Sequence, residues 1–246
     1  MGQGSGHMLL FYIRHGRPIY SPDSLRPMGE RQAEAVARRL ALYGVDHVYA
    51  SSSTRAIETA KPTCDLCELE MSVLDWCNEG YAWEATAVDR GDGCFKWAYS
   101  LPEWRRKFTD EAVLRLGSAW HEHPYFAGTK FKDGMDKVDR EVDALLSSHG
   151  YVHDRACHLY RAEKPTDERI ALFAHEGFGK MFLSSVLDIP YPLFCAHFEM
   201  SYTGMAVIEF KAGDDGVCIP SALTLANDGH LYRDGLPTKY QNRITF

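Results

Sequence analysis

Two short apolar runs each end in a histidine, and that recurrence constrains the fold of this chain more than any other feature. Leu9-Leu10-Phe11-Tyr12-Ile13 stops at Arg14-His15-Gly16, and Arg169-Ile170-Ala171-Leu172-Phe173-Ala174 stops at His175-Glu176-Gly177. Unbroken apolar runs of this length read as strands buried on both faces. Helical patterns follow them. Gly29–Tyr43 carries an apolar stripe of Ala33, Val36, Ala37, Leu40 and Ala41 and closes at Gly44 as a C-cap, and Phe178–Leu187 follows the second run. Between them, Val45–Ala50 reads as a strand and Ser51-Ser52-Ser53-Thr54 as a turn and helix N-cap. The next helix spans Arg55–Leu69, where Pro62 predicts a kink or break near Lys61. Ser72–Leu74, Thr203–Phe210 and Ile219–Leu225 supply further strands. Strands alternating with helices predict an α/β fold, a mostly parallel sheet covered on both faces. Ligands bind such sheets at the carboxyl ends of the strands.

Residues 81–164 break this rhythm. They hold Trp83, Trp97, Trp104 and Trp120, and helical stretches near Pro102–Gly117 and Lys130–Ser148. That aromatic load is foreign to linkers and predicts an inserted cap folded over the ligand edge. Met1–His7 reads as an expression scar, which leaves 8–246 as one domain carrying the cap.

Composition excludes some function classes. A formal net charge of -7 argues against nonspecific nucleic-acid binding, and no apolar run reaches the length of a membrane span. Seven cysteines without framework spacing predict reduced thiols and a cytoplasmic setting. Cys64 and Cys67 read as two thiols on one side of a helix, because no second pair stands near to complete a zinc site. His121 and His123 around Glu122 likewise lack a third ligand and read as surface residues.

His15 and His175 each follow a buried strand, Arg14 adjoins the first, and Arg55 opens a helix after another strand. A parallel sheet brings such positions to one edge. Neutral imidazole is a competent nucleophile, arginine forks match phosphate oxygens, and helix N-termini favour anions. Together they describe a pocket that could stabilise a phosphoryl group in transfer without a metal.

The motifs resemble those of the histidine phosphatase superfamily, the phosphoglycerate-mutase-like proteins. Arg14-His15-Gly16 is similar to that family's signature after its first strand. Leu25-Arg26-Pro27-Met28-Gly29-Glu30-Arg31-Gln32-Ala33 is similar to its LTxxGxxQA helix entry. Ser51-Ser52-Ser53-Thr54-Arg55-Ala56-Ile57-Glu58-Thr59-Ala60 is similar to SxLxRAxQTA, and Asn227-Asp228-Gly229-His230-Leu231 to the ending of phosphatase members. The resemblance implies a three-layer α/β/α sandwich with a mixed sheet and a cap after the third strand. It also implies that His15 takes the phosphoryl group while Arg14, Arg55 and His175 stabilise its charge, with no metal or cofactor.

An acidic residue past the third strand is then expected to protonate the leaving alcohol and later activate water. Asp75, Glu79 and Glu84 are candidates; Glu79 is the choice by position, with Glu84 the alternative. Arg17 and Ser21 lie in the following loop within reach of a phosphate, Ser21 near the place of the mutases' asparagine. That asparagine is missing, and His175-Glu176-Gly177 replaces the mutases' HGN, so the resemblance favours hydrolysis over mutase transfer. The expected function is a phosphomonoesterase on a small phosphorylated molecule. The alternatives are phosphoglycerate-mutase-like transfer and an inactive module that binds phosphate esters, which Glu176, a negative charge beside an anion site, keeps open.

Overall fold

The computed structural model describes residues 6–238. Its frame is a six-stranded sheet built from β1 (His7–Arg14), β2 (His47–Ser51), β3 (Met71–Leu74), β4 (Arg169–Ala174), β5 (Met205–Lys211) and β6 (Ser221–Asn227). The spatial order is β6-β5-β1-β4-β2-β3, with β1, β4, β2 and β3 parallel and the β5 and β6 pairings antiparallel. His7, set aside in the sequence reading, opens β1 opposite Lys211; Met1–Ser5 lie outside the described residues.

Alternation along β1 explains both its apolar run and the layers. Met8, Leu10 and Tyr12 enter one core with Ile170, Leu172 and Ala174, whereas Phe11 and Ile13 enter another with Ala171 and Phe173. A strand covered on both faces must be apolar at every position. Each of the larger aliphatic and phenylalanine side chains among them contributes roughly 1.5–3 kcal/mol by burial.

Helices α1 (Pro27–Tyr43) and α2 (Thr54–Cys67) cover the Phe11 face through Val36, Leu40, Ala60 and Cys64. The opposite face is covered by α5 (Phe131–Ser148) and α6 (Glu176–Leu187), through Val138, Val142, Phe178 and Phe182. Between α2 and α5 the chain forms α3 (Glu79–Thr86), a hairpin of Ala87–Asp89 with Phe95–Trp97, and α4 (Pro102–Phe108). After α6 come α7 (Tyr191–His197) and α8 (Gly229–Arg233). Among the described residues, no helix is long and apolar enough to cross a membrane.

Several local expectations are corrected. Pro62 lies within α2 without ending it; the helix runs on to Cys67 and closes on Glu68 at φ 55. Ala41 is exposed while Ala35 is buried, because Leu231 of α8 and the following Leu236 pack on that side of α1. The stretch predicted helical over 102–117 breaks after Phe108, where Asp110 accepts a hydrogen bond from Ala112 N–H and caps a new short helix. The aromatic load of the insertion is core. Phe108 stacks on Phe126 with centroids 5.7 Å apart and meets Trp120, Phe131 and Tyr191 edge-on.

Register positions the functional residues. Arg14 lies opposite Ala174, and Phe173 opposite Ala50, so β1, β4 and β2 end nearly level. The residues that follow each strand therefore share one edge.

Candidate active site

Gly16 lets that edge close. A Cβ on Gly16 would stand 2.6 Å from the Gly29 carbonyl oxygen, and one on Gly29 would collide with the Arg17 carbonyl. The loop after β1 and the start of α1 thus need both glycines. Gly16 N–H donates to Thr59 Oγ1 at 3.0 Å, which ties the same loop to α2.

His15 is 3% exposed. Its Nδ1–H donates to the Gly16 carbonyl at 2.7 Å, so the lone pair resides on Nε2, the nitrogen a nucleophile uses. Burial, helped by Arg14 and Arg55, pushes its pKa well below the ordinary histidine value, which keeps the ring neutral. The backbone on either side is braced, with His15 N–H donating to Ala174 C=O and Thr203 N–H donating to His15 C=O.

His175 caps α6, its ring centroid 5.2 Å from that of His15. Arg55 Nη2, which can only donate, lies 3.1 Å from His175 Nδ1. Nε2 therefore carries the hydrogen and donates to Ser51 Oγ at 2.8 Å and Ser53 Oγ at 3.2 Å. Ser53 is the N-cap residue of α2 but makes no side-chain cap, because its hydroxyl serves His175 instead. Burial, then the neighbouring His15 and Arg55, pushes the His175 pKa well down. Glu79 Oε2 lies 3.3 Å from His175 Nδ1, and Oε1 accepts from Gly177 N–H at 3.0 Å.

Both arginines reach the same cleft, a cavity of about 380 Å³ that Arg14, His15, Arg55, Glu79 and Glu176 help to line. Arg14 Nη1 donates to the Met200 carbonyl and to Glu176 Oε2, each at 2.5 Å. Arg55 Nη1 pairs with Asp23 Oδ1 at 2.8 Å. The Nε–H of each arginine is buried with no hydrogen-bond partner among the described residues. Buried donors of this kind suit an anion.

The histidine phosphatase superfamily (branch 1) profile matches residues 10–217. The chain belongs to that superfamily. A probable phosphoglycerate mutase of Yersinia enterocolitica is 34% identical over 71 residues, which span 25% of this chain and only 33% of the relative. The mycobacterial glucosyl-3-phosphoglycerate phosphatase, solved with inorganic phosphate, superposes with a TM-score of 0.58 at 16% identity, over 90% of this chain and 98% of that one. A phosphoserine phosphatase mutant of Entamoeba histolytica, solved with phosphoserine, gives 0.56 at 17% identity, over 91% and 99%. These likenesses establish the fold, a mostly parallel mixed sheet between helices, and superfamily membership supports a phosphoryl-transfer enzyme.

In this member of the superfamily the structure brings together His15, His175, Arg14, Arg55 and Glu79. It does not bring in the other candidates. Glu84 is exposed and pairs with Lys130 at 2.7 Å, and Asp75 is held by Ser52 and Tyr81 at 2.7 and 3.0 Å. Arg17 is exposed and outside the cleft lining. Ser21 sits exposed between Pro18–Tyr20 and Asp23–Leu25, a hairpin that delivers Tyr20 to the cleft and Asp23 to Arg55. Sequence reasoning missed Tyr20, Asp23, Tyr99 and Tyr202. Tyr202 packs under the Arg14 guanidinium at 4.4 Å. His230, remote from the cleft lining, bonds Thr203 Oγ1 at 3.0 Å. Away from this edge, His47, His149 and Glu168 place their ligand atoms within 4.8 Å of one another, the one such trio among the described residues.

Proposed function

We propose that this histidine phosphatase hydrolyses small phosphomonoesters through a phosphohistidine on His15. The observation that carries the reading is the hydrogen bond from His15 Nδ1 to Gly16 C=O, which leaves Nε2 as nucleophile in a cleft shared with two arginines and Glu79. Nε2 forms a bond to phosphorus while the ester P–O bond breaks. Arg14 and Arg55 hold the equatorial oxygens as charge builds on them. Glu79 gives its proton to the leaving alkoxide and, in the second half, removes one from the water that attacks phosphorus as the P–N bond breaks, which releases phosphate and returns the lone pair to His15 Nε2. Its position in the cleft lining, 3.3 Å from His175 Nδ1, makes Glu79 the carboxyl best placed for both steps.

Small phosphate esters named with the structural relatives, phosphoserine and glucosyl-3-phosphoglycerate, support that substrate class. The position of Ser21, exposed and outside the cleft lining, favours hydrolysis over mutase transfer. Seven unpaired cysteines support a reducing, cytoplasmic setting.

The experiment is phosphate release from a panel of monoesters in the presence of chelator, with acid-quench trapping of the phosphoenzyme. Activity and trapped label are expected to vanish together in His15→Ala. An active His15→Ala enzyme refutes the reading, and isomerised product without net phosphate release replaces it with a mutase.

A further inference from the structure

Charge is nearly spent in this cleft before any substrate arrives. Its two guanidiniums each meet a carboxylate already, Arg14 with Glu176 and Arg55 with Asp23. The two histidines are buried and neutral. Lys180 does not redress the balance from within the cleft lining. It donates to the Cys195 and Phe198 carbonyls, with Nζ over the Tyr99 ring at 4.4 Å. A phosphoryl dianion entering here gains from a positive charge of its own on the leaving group.

The rings show where that charge fits. Tyr20, Tyr99 and Tyr202 each already carry a protein cation, Arg55 at 5.6 Å, Lys180 at 4.4 Å and Arg14 at 4.4 Å. Trp83 and Trp97 carry none among the described residues, and indole is the ring that attracts cations best. Their centroids are 4.9 Å apart with planes at 88°, so the two indoles meet edge to face as a corner, and Tyr99 stacks along Trp97 at 5.5 Å. Trp83 is 38% exposed and lies one helical turn after Glu79 on α3, so acid and ring share a face. Trp97 is fixed from behind. A Cβ on Gly177 would stand 2.7 Å from its ring and would also collide with the Glu79 carboxylate.

We propose that the Trp83–Trp97 corner seats an alkylammonium group on the leaving alcohol, so that the substrate class is ammonium-bearing phosphomonoesters. The proposal rests on the phosphatase reading above. With the ester oxygen beside Glu79, a short alkyl chain carries the ammonium onto the two indoles.

The test compares phosphocholine with 3,3-dimethylbutyl phosphate, which has the same shape without the charge. The expected result is about tenfold higher kcat/KM for phosphocholine, about 1.4 kcal/mol. That ratio falls toward one in Trp83→Leu and is partly restored in Trp83→Phe. Ratios within each variant cancel any general loss of activity. Equal kcat/KM in the parent enzyme overturns the proposal, as does a preference that Trp83→Leu leaves intact. Failure to hydrolyse either ester, while 4-nitrophenyl phosphate turns over, also overturns it and leaves the phosphatase reading standing. If no ester turns over, that reading fails instead. Calorimetric binding of the two esters to the parent protein then decides the corner by the same tenfold criterion.

Discussion

Glu176 holds Arg14 in an ion pair of 2.5 Å within the cleft that His15 lines. Arg14 ends β1 and Glu176 begins α6, where a carboxylate is also favoured by the helix dipole. An incoming phosphoryl group must share Arg14 with this internal anion. Replacing Glu176 by Gln removes the competing charge while keeping the shape. Inorganic phosphate is therefore expected to inhibit Glu176→Gln about five- to tenfold more tightly, from roughly 1–1.4 kcal/mol of recovered charge-assisted bonding. Inhibition constants measured side by side check this, and weaker inhibition in the variant would mean that Glu176 positions Arg14 for its ligand.

The two buried histidines set a pH dependence of stability. Burial, with the neighbouring arginines, depresses the pKa of both His15 and His175 in the folded state. Between the depressed values and about 6.5 the unfolded chain binds more protons, so stability is full above 6.5 and declines as pH falls. The slope is about 1.4 kcal/mol per pH unit for each such histidine. His230, pulled down to about 4 by burial, acts in the same direction. His153 opposes them. Burial lowers its pKa, but hydrogen bonds to Asp143 and Asp188 outweigh that and raise it. Urea unfolding of the parent and His15→Gln at pH 7 and 5.5 isolates the term, since His153 and His230 are common to both. The variant is expected to lose less stability on acidification, and parallel losses would contradict the buried neutral imidazole.

Much of this site was legible because strand ends and helix starts advertise themselves. An apolar run that halts at a histidine places that histidine at a sheet edge, and Arg14, His15, Arg55 and His175 all follow from that logic. The acid needed one more step. Asp75, Glu79 and Glu84 share a short stretch, and only the start of α3 at Glu79 turns one carboxyl inward. Tyr20 and Asp23 were illegible, because their role depends on a three-residue hairpin pairing that no periodicity reveals. The spacing along the loop points to Ser21, whereas the hairpin turns it to solvent. The 102–117 helix failed for a local reason, since Thr109-Asp110 offers a cap in mid-pattern.

Phe108 is the keystone of the inserted aromatic cluster. It is fully buried and touches Trp104, Trp120, Phe126, Phe131 and Tyr191, rings drawn from five segments of chain. Truncation to Ala removes a large side chain that the rigid surrounding rings cannot replace, at a cost of about 3–5 kcal/mol. For a chain of this size that corresponds to roughly a 10 °C fall in Tm. Thermal unfolding of Phe108→Ala measures it. A shift of only one or two degrees would show that the cluster relaxes to fill the space.

Glu79 offers the sharpest separation of chemical roles, because its two tasks respond differently to the leaving group. Protonation of the departing oxygen matters for an alkoxide and little for 4-nitrophenolate, which leaves without help. Activation of water on the phosphohistidine is needed for every substrate alike. Glu79→Gln keeps the acceptor for Gly177 N–H but has no proton to give or take. With an alkyl phosphate, kcat is expected to fall about 10²–10⁴-fold through loss of the general acid. With 4-nitrophenyl phosphate the first step survives and the second stalls, so the variant should release a burst of 4-nitrophenolate and accumulate acid-labile phosphoenzyme on His15. Glu84→Gln, which loses only an exposed pairing with Lys130, should behave as the parent does. Equal falls for both substrates without a burst would mean that Glu79 only orients His175, across the 3.3 Å contact to its Nδ1.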